Sequence, residues 1–200
     1  PAAEAERLRL GERDITLLGA YADGEGVLVV GEKLSRPSGV LIEVPRGAAP
    51  IIRLVEGTTR LLGVTRASGG SLIACGANGA LFEITGGSRR DIAWGRTGHL
   101  HAIVAAPDGG AHVVGSGGHA LHVSPPPAGS PIGSPHTATL EAVQTTRDLK
   151  NVILDTRGHP WAVGGSARLM QRRLAVWMRV PLEPSAQGNL IAASPRDDGI

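Results

Sequence analysis

The stretch Leu100-His-Ala-Ile-Val-Ala-Ala-Pro-Asp-Gly-Gly-Ala-His-Val-Val-Gly115 joins two short apolar runs through a polar turn and closes on glycine. The same phrase occurs four times in the chain, and a fifth copy begins near the end of the sequence. The copies start at Ile15, Leu61, Leu100 and Leu149, and the partial copy starts at Asn189. A phrase that returns at a fixed period is typical of proteins built from one supersecondary unit used several times.

The spacing of the closing glycines gives the size of this unit. Gly31, Gly76, Gly115 and Gly164 are separated by 45, 39 and 49 residues. This length suits four short antiparallel strands, which is the size of a propeller blade. A parallel β-helix has much shorter repeats, and helical repeats do not fit the density of glycine and proline. The sequence therefore predicts an all-β protein, a β-propeller of four-stranded antiparallel blades whose first strands lie innermost.

The repeats also divide the chain. We expect residues 1–14 to form a linker or N-terminal extension and residues 15–200 to form the blades. Complete rings commonly have about four to eight blades, so we expect an incomplete ring with an open edge, within a larger protein. The predicted blades span about 15–59, 60–99, 100–147 and 148–188, with a partial fifth blade at 189–200.

Local patterns predict several details of the blades. Apolar residues are consecutive in 27–30 and 72–75 instead of alternating, which indicates strands buried on both faces. Asp-Gly pairs favour tight hairpin turns with positive φ, and they occur at Asp23-Gly24, Asp108-Gly109 and Asp198-Gly199. We expect fourth strands at 91–94 in the second unit and 139–143 in the third, with Trp94 and Trp177 on outer strands.

Composition argues against two classes of partner. The chain has 20 Lys and Arg against 18 Asp and Glu, a formal net charge of +2, and no long block of like charges. Binding to a phosphate backbone needs clustered cations, and one Phe, one Tyr and three Trp provide few stacking platforms. No apolar run approaches the roughly 18 residues of a membrane span. We therefore expect no nucleic acid partner and no membrane span in this segment.

Cysteine and histidine are the residues to weigh for a metal site. Cys75 is the only cysteine, and it occupies the position of valines in the other copies, which predicts a small buried side chain. With two-residue turns at Asp108-Gly109 and Ser116-Gly117, His112 would lie opposite Ala105 and diagonally from His119, with His122 on the other face. Zinc needs three or four converging ligands, and this register offers two. We predict no metal site and no other cofactor.

The segment Pro160-Trp-Ala-Val-Gly-Gly-Ser-Ala-Arg-Leu-Met170 resembles the glycine-rich phrase of propellers related to the photosystem II assembly and stability factor, within the bacterial-neuraminidase-type repeats. Segments 71–81 and 111–121 match the same phrase, and the resemblance extends over about 15–188. It implies a propeller fold, and similar propellers occur as interaction or sensor domains appended to bacterial proteins. The Ser-x-Asp-x-Gly-x-Thr-Trp box of sialidase-type repeats is absent from every copy, so a photosystem role is not implied.

The sequence favours a non-catalytic protein-interaction or sensory module of a larger bacterial protein. It contains no Gly-x-Ser-x-Gly elbow, no phosphate-binding glycine loop and no recognisable pair of catalytic carboxylates. In a propeller, the turns between second and third strands share one face with the connections between blades. There we expect a surface for a protein or peptide partner, made by Lys33, Arg36, Asn78, Arg96, His99 and His119. The alternative is part of a propeller enzyme, a hydrolase or lyase, with site residues partly outside this segment.

Overall fold

The computed structural model describes residues 14–58, 60–131, 133–182 and 188–194. Strands account for 54% of the chain and helical turns for 5%, which confirms the all-β prediction. No described helix is long and apolar enough to cross a membrane. Most of the predicted N-terminal extension and the predicted turn at Asp198-Gly199 lie outside the described residues.

The strands form four sheets, each in chain order apart from one added strand. The first sheet contains β1 Ile15–Asp23, β2 Gly26–Lys33, β3 Ser38–Pro45 and β4 Ile51–Val55. The second contains β5 Leu61–Arg66, β6 Leu72–Gly76, β7 Leu81–Thr85 and β8 Ser88–Asp91. The third contains β9 Leu100–Ala105, β10 Ala111–Gly115, β11 Ala120–Ser124 and β12 Thr137–Leu140. The fourth contains β14 Leu149–Leu154, β15 Pro160–Gly164, β16 Arg168–Arg173 and β17 Val176–Val180, joined by β13 Ala142–Val143.

The sheets stack side by side as blades of an open arc. The first strand of each sheet contacts the first strand of the next, β1 with β5, β5 with β9 and β9 with β14. The first strands are therefore innermost, as predicted. Among the described strands no extensive contact joins the fourth sheet to the first, and the ring is not closed. This confirms the predicted propeller-type architecture of four-stranded antiparallel blades.

Apolar cores fill the three spaces between neighbouring sheets. Leu41 and Phe82 lie in the core between the first and second sheets, and Ile73 and Leu121 in the core between the second and third. Trp177 lies in the core between the third and fourth. A further apolar cluster covers the other face of the first sheet, and its buried members are Val40, Ile42 and Ile52.

The prediction of strands buried on both faces holds only where a sheet has two neighbours. Every residue of β6 and β10 is buried. Cys75 is completely buried, and this burial raises the pKa of its thiol to about 12. In the first sheet Val27 is 38% exposed. The prediction is therefore wrong for 27–30, because no described sheet packs against that face.

The closing glycine of the repeat lies against the residue that precedes the first strand. A Cβ atom on Gly76 or Gly115 would lie 2.1 Å from the carbonyl oxygen of Arg60 or His99, respectively. The residue after the glycine donates its N–H to that same carbonyl, for example Ser116 to His99 at 2.8 Å. A β-bulge in the first strand accompanies this contact. Only a residue without a side chain permits such an approach.

The hairpin loops of the third sheet are one residue longer than predicted. Ala111 pairs with Ala105, and Val114 pairs with Ala120. Hydrogen bonds from Ala106 N–H to the Gly110 carbonyl and from Gly115 N–H to the His119 carbonyl close the hairpins. The loops are therefore 107–109 and 116–118, with three residues each instead of two. In the first loop Gly109 has φ 88° and donates its N–H to the Ala106 carbonyl at 3.0 Å. A turn followed by a left-handed glycine is the usual geometry of a three-residue hairpin.

The hairpin at Asp23-Gly24 has a different turn type from the one predicted. Asp23 pairs with Gly26, so the loop has two residues, as expected. Neither Gly24 nor Glu25 has positive φ, which rules out the primed turn. Instead, Asp23 Oδ1 accepts hydrogen bonds from the N–H groups of Glu25 and Gly26 at 2.8 and 3.1 Å.

Two predicted fourth strands are shifted. In the second sheet the fourth strand is β8, which ends at Asp91, so Trp94 lies in the following connection and not on an outer strand. In the third sheet β12 ends at Leu140, and β13 leaves the sheet to pair with β17 of the fourth. That two-residue pairing is parallel, an exception to the antiparallel expectation. The prediction for Trp177 is confirmed, since it lies on β17.

The longer loops change which histidines meet. His112 lies directly opposite His122, with ring centroids 5.0 Å apart, and not opposite Ala105 or beside His119. The His112 ring also contacts Trp177 edge-on at 6.3 Å. Burial, followed by the charges of Arg172 and His122, lowers the pKa of His112 to about 4.

Glu141 anchors the outer part of the interface between the third and fourth sheets. Its carboxylate accepts a hydrogen bond from Trp177 Nε1 at 2.7 Å and forms an ion pair with Arg172 at 2.5 Å. The Glu141 side chain is 3% exposed, and that of Arg172 is 21% exposed. Arg172 is therefore a largely buried ion-pair residue and not a solvated charge at the sheet edge.

We expect Gly115→Ala to destabilise the fold far more than Gly117→Ala. The added methyl group at Gly115 would collide with the His99 carbonyl, at a cost of about 3 kcal/mol. At Gly117 the nearest atom is 3.9 Å away, so only the left-handed backbone is penalised, at about 1 kcal/mol. Urea unfolding followed by circular dichroism measures both. Equal losses would contradict the close-approach explanation.

His112 should make stability depend on pH. Unfolded histidine takes up a proton near pH 6.5, whereas folded His112 stays neutral down to about 4. Its contribution is therefore present above pH 6.5 and lost as pH falls through this window, by about 3 kcal/mol in total. His112→Leu should flatten this part of the profile in urea unfolding, whereas His159→Leu, at an exposed position, should retain it. The other charged or titratable groups that face His112 belong to Glu141, Asp108, His122 and Arg172.

Candidate functional site

One end of the arc collects the turns between second and third strands together with the connections between sheets. We call this surface the loop end. It comprises the turns 34–37, 77–80 and 116–119 and the described connections 56–58, 92–99 and 144–148. The hydrogen bonds from each turn to the preceding connection, such as Ala77 N–H to the Arg60 carbonyl at 3.0 Å, hold these segments in place.

A cleft of about 480 Å³ crosses the loop end of the second sheet. We call it the loop-end cleft. One wall comes from the connection after the first sheet, the floor from the turn between β6 and β7, and the other wall from β8 and the connection toward the third sheet. The lining residues are Gly57, Thr58, 77–81, Arg89 and 91–97.

Trp94 is fixed in the loop-end cleft by two contacts. Its Nε1 donates a hydrogen bond to the Gly79 carbonyl at 2.8 Å. The His119 ring meets it edge-on, with centroids 5.3 Å apart and planes at 72°. Gly79 allows the turn to come this close, because a Cβ atom there would lie 2.6 Å from the Arg96 carbonyl oxygen. The indole is thus a rigid, half-buried wall of the cleft.

The structure brings four of the six predicted contact residues together. Asn78 lies in the floor turn with φ 55°, and its N–H donates to His99 Nδ1 at 3.1 Å. Arg96 is an exposed part of the wall. Burial, followed by the charge of Arg96, lowers the pKa of His119. Their geometric clustering is observed, whereas a role in binding stays a prediction.

The other two predicted residues lie on the first sheet. Like His99 and His119, they are outside the cleft lining, which contains only Asn78 and Arg96 of the six. Lys33 ends β2, and Arg36 lies in the following turn. Arg36 forms an exposed ion pair with Glu56 at 3.1 Å. The Glu56 carbonyl in turn accepts a hydrogen bond from Arg89, which lines the cleft. Arg36 therefore lies beside the cleft and is linked through Glu56 to the lining residue Arg89.

Two of the arginines around the cleft have carboxylate partners, and a third has none among the described residues. Arg60 pairs with Glu32 at 2.8 Å, and Arg89 pairs with Asp91 at 2.6 Å. The Arg89 guanidinium also lies 4.6 Å from the centre of the Phe82 ring. Arg96 forms no ion pair with any described residue. Of the two arginines that line the cleft, Arg96 is therefore the one without a carboxylate partner among the described residues.

Thr58 contributes an unusual polar atom. The residue is 7% exposed, lines the cleft, and its hydroxyl has no hydrogen-bond partner among the described groups. Sequence reasoning missed Thr58, Arg89 and the position of Trp94. Thr58 gave no signal in the sequence, whereas the glycines that surround Trp94 and Thr97 mark a turning segment instead of a strand.

A second polar cluster lies on the inner strands of the third and fourth sheets. His101 Nε2 is 3.1 Å from Ser116 Oγ, 3.3 Å from Lys150 Nζ and 3.9 Å from Asp148 Oδ2. A catalytic triad needs the carboxylate on the other imidazole nitrogen, so this arrangement is not a triad. Asp148 also accepts from Lys150 and the Gly117 N–H, at 2.9 and 3.0 Å. These contacts join the two sheets.

The described residues contain no group of three or more His, Cys, Asp or Glu side chains placed to hold a metal ion. The histidines of the third unit separate into pairs with different neighbours. His112 and His122 stack outside the cleft, and His99 and His101 have ring centroids 6.3 Å apart.

Comparison with known proteins identifies the fold but no family. No protein-family model matches the chain, and no curated protein matches its sequence. The structure is similar to the extracellular domain of BT3049 from Bacteroides thetaiotaomicron, assigned to a hybrid two-component system. The TM-score is 0.64 at 12% identity, over 92% of this chain and 26% of that chain. The chain thus spans about a quarter of the length of that extracellular-domain chain.

A second solved structure is also similar. A protein of unknown function from Bacteroides caccae matches with a TM-score of 0.58 at 10% identity, over 84% of this chain and 68% of that chain. At these identities the likeness shows the fold alone. The resemblance to photosystem II assembly factor-like repeats stays a prediction.

We expect Trp94→Phe to lower the free energy of unfolding by about 1 kcal/mol, because the ring is kept and one hydrogen bond is lost. Amide NMR signals of the floor turn, Gly79 above all, should shift. The matched control is Trp161→Phe, which removes the hydrogen bond to Asp155 at 3.1 Å on the opposite end. It should cost a similar amount and leave the Gly79 signals in place. Unchanged Gly79 signals in Trp94→Phe would contradict the described contact.

Proposed function

We propose that this chain is a non-catalytic interaction or sensory module of a larger bacterial protein, which contacts a protein or peptide through its loop end. The observation that carries the proposal is the loop-end cleft, which is lined both by the fixed indole of Trp94 and by Arg96, a cation with no ion pair among the described residues. Trp and Arg are enriched among the residues that dominate binding energy at protein interfaces.

The fold supports this use of the loop end. Strand packing between sheets occupies the sides of each blade, so the turns and connections are left to contact a partner. The hydrogen bonds from each turn to the preceding connection fix the backbone of the cleft before any partner arrives. A preformed site loses little conformational entropy on binding.

The structural neighbour is compatible with the proposal. BT3049 is assigned to a hybrid two-component system, and the matched region belongs to its extracellular domain. This chain covers 26% of that extracellular-domain chain, so any sensory role of the complete protein that contains this chain is part of the proposal.

The experiment is a comparison of two charge-reversed pairs with the unmodified chain. Arg36→Glu with Arg96→Glu alters the loop end, and Arg46→Glu with Arg157→Glu makes the same charge change at two exposed positions of the opposite end. Partners are captured by crosslinking from the source bacterium, identified by mass spectrometry, purified and titrated by calorimetry. We expect the loop-end pair to weaken binding by about tenfold or more and the opposite-end pair to leave it unchanged.

Thermal unfolding of both double variants verifies that they remain folded. Equal binding by the two pairs would overturn the assignment of the loop end. Turnover of a substrate by the isolated chain would overturn the non-catalytic reading.

A further inference from the structure

We propose that the loop-end cleft recognises a carboxylate-bearing peptide segment: Arg96 pairs with the carboxylate, Trp94 packs against an apolar neighbour, and Thr58 donates to a peptide carbonyl. This inference rests on the proposed function and specifies its ligand. Three different features of the cleft carry it, and each selects one part of the ligand.

Charge selects the carboxylate. Arg36, Arg60 and Arg89 each have a carboxylate partner within the chain, at 3.1, 2.8 and 2.6 Å. Arg96 has none among the described residues, and the only acidic side chain in the cleft lining, Asp91, is held by Arg89. The cleft therefore keeps one net positive charge, on a guanidinium group suited to bidentate pairing with a carboxylate.

Packing selects an apolar neighbour. Trp94 uses its Nε1 internally, for the hydrogen bond to Gly79, so it offers a ligand ring surface and no donor. Its edge contact with His119 fixes the ring plane. Such a surface favours an aliphatic side chain next to the charged group.

Hydrogen bonding selects the backbone. Thr58 lines the cleft together with the connection that holds Arg96, and its buried hydroxyl has no partner among the described residues. A buried hydroxyl without a partner is costly, and a ligand carbonyl that crosses the cleft would supply one. The volume of about 480 Å³ lies in the range of small-ligand sites and accommodates a short peptide.

The test is an NMR titration of the uniformly ¹⁵N-labelled 200-residue chain with three capped dipeptides. Acetyl-Leu-Glu-amide carries a side-chain carboxylate, acetyl-Leu-Gln with a free C-terminus carries a terminal carboxylate, and acetyl-Leu-Gln-amide carries neither. Probes of this size bind a matching site with dissociation constants on the order of 1 mM. We expect shifts at Thr58, Trp94 and Arg96 with at least one carboxylated probe and none with the neutral probe. The stronger carboxylated probe identifies the source of the carboxylate.

Matched variants separate binding from structure. Arg96→Gln should weaken the carboxylated probe about tenfold, and Arg46→Gln, on the opposite end, should not. Thr58→Val should weaken it as well, whereas Thr65→Val removes another buried hydroxyl without a described partner, outside the cleft, and should not. Because neither hydroxyl has a described partner, neither valine variant should lose stability in thermal unfolding.

Equal binding of the neutral and carboxylated probes, full affinity in Arg96→Gln or Thr58→Val, or the absence of cleft shifts would each overturn this inference. None of these results would decide the proposed function, which fails if the partner is insensitive to charge reversal at the loop end or if the isolated chain turns over a substrate.

Discussion

The contact between each closing glycine and the carbonyl before the first strand is the constraint on which the architecture depends. It recurs at Gly76, Gly115 and Gly164, with a similar close approach at Gly31. Because the next residue donates its N–H to the same carbonyl in the last three sheets, one short segment joins the innermost strand, the outward turn and the incoming connection. The accompanying β-bulge lets the chain enter the blade without breaking the pairing of its first two strands.

The loop-end cleft is a consequence of this constraint. Ala77 follows Gly76 and donates its N–H to the Arg60 carbonyl, so the turn that carries Asn78 and Gly79 is held against the connection before β5. Trp94 then closes onto Gly79 from the other side. The polar residues of the loop end are thus attached to a backbone fixed by hydrogen bonds, although the segments themselves are turns and connections.

The regular part of the fold could be read from the sequence, because it is encoded locally and repeated. The strand starts at Ile15, Leu61, Leu100 and Leu149 follow from the apolar runs and the glycine spacing. Loop length was the weak point: the turn at Ser116-Gly117 was expected to have two residues and has three, and the extra residue moved His112 opposite His122. The Arg172–Glu141 pair joins residues far apart in sequence, and the cleft depends on Trp94 turning back to Gly79. Such long-range contacts have no periodic signature.

The short strand β13 has a consequence for how the arc behaves as a whole. It belongs by sequence to the third repeat, yet its hydrogen bonds go to the outer edge of the fourth sheet. The boundary between these repeats is therefore not a structural boundary between the two sheets, and the same segment contains Glu141, which binds Arg172 and Trp177. In repeat proteins, the coupling between neighbours determines whether units melt singly or together. We therefore expect the shared strand to make the last two blades melt together, whereas the first two sheets are joined without an exchanged strand among the described residues.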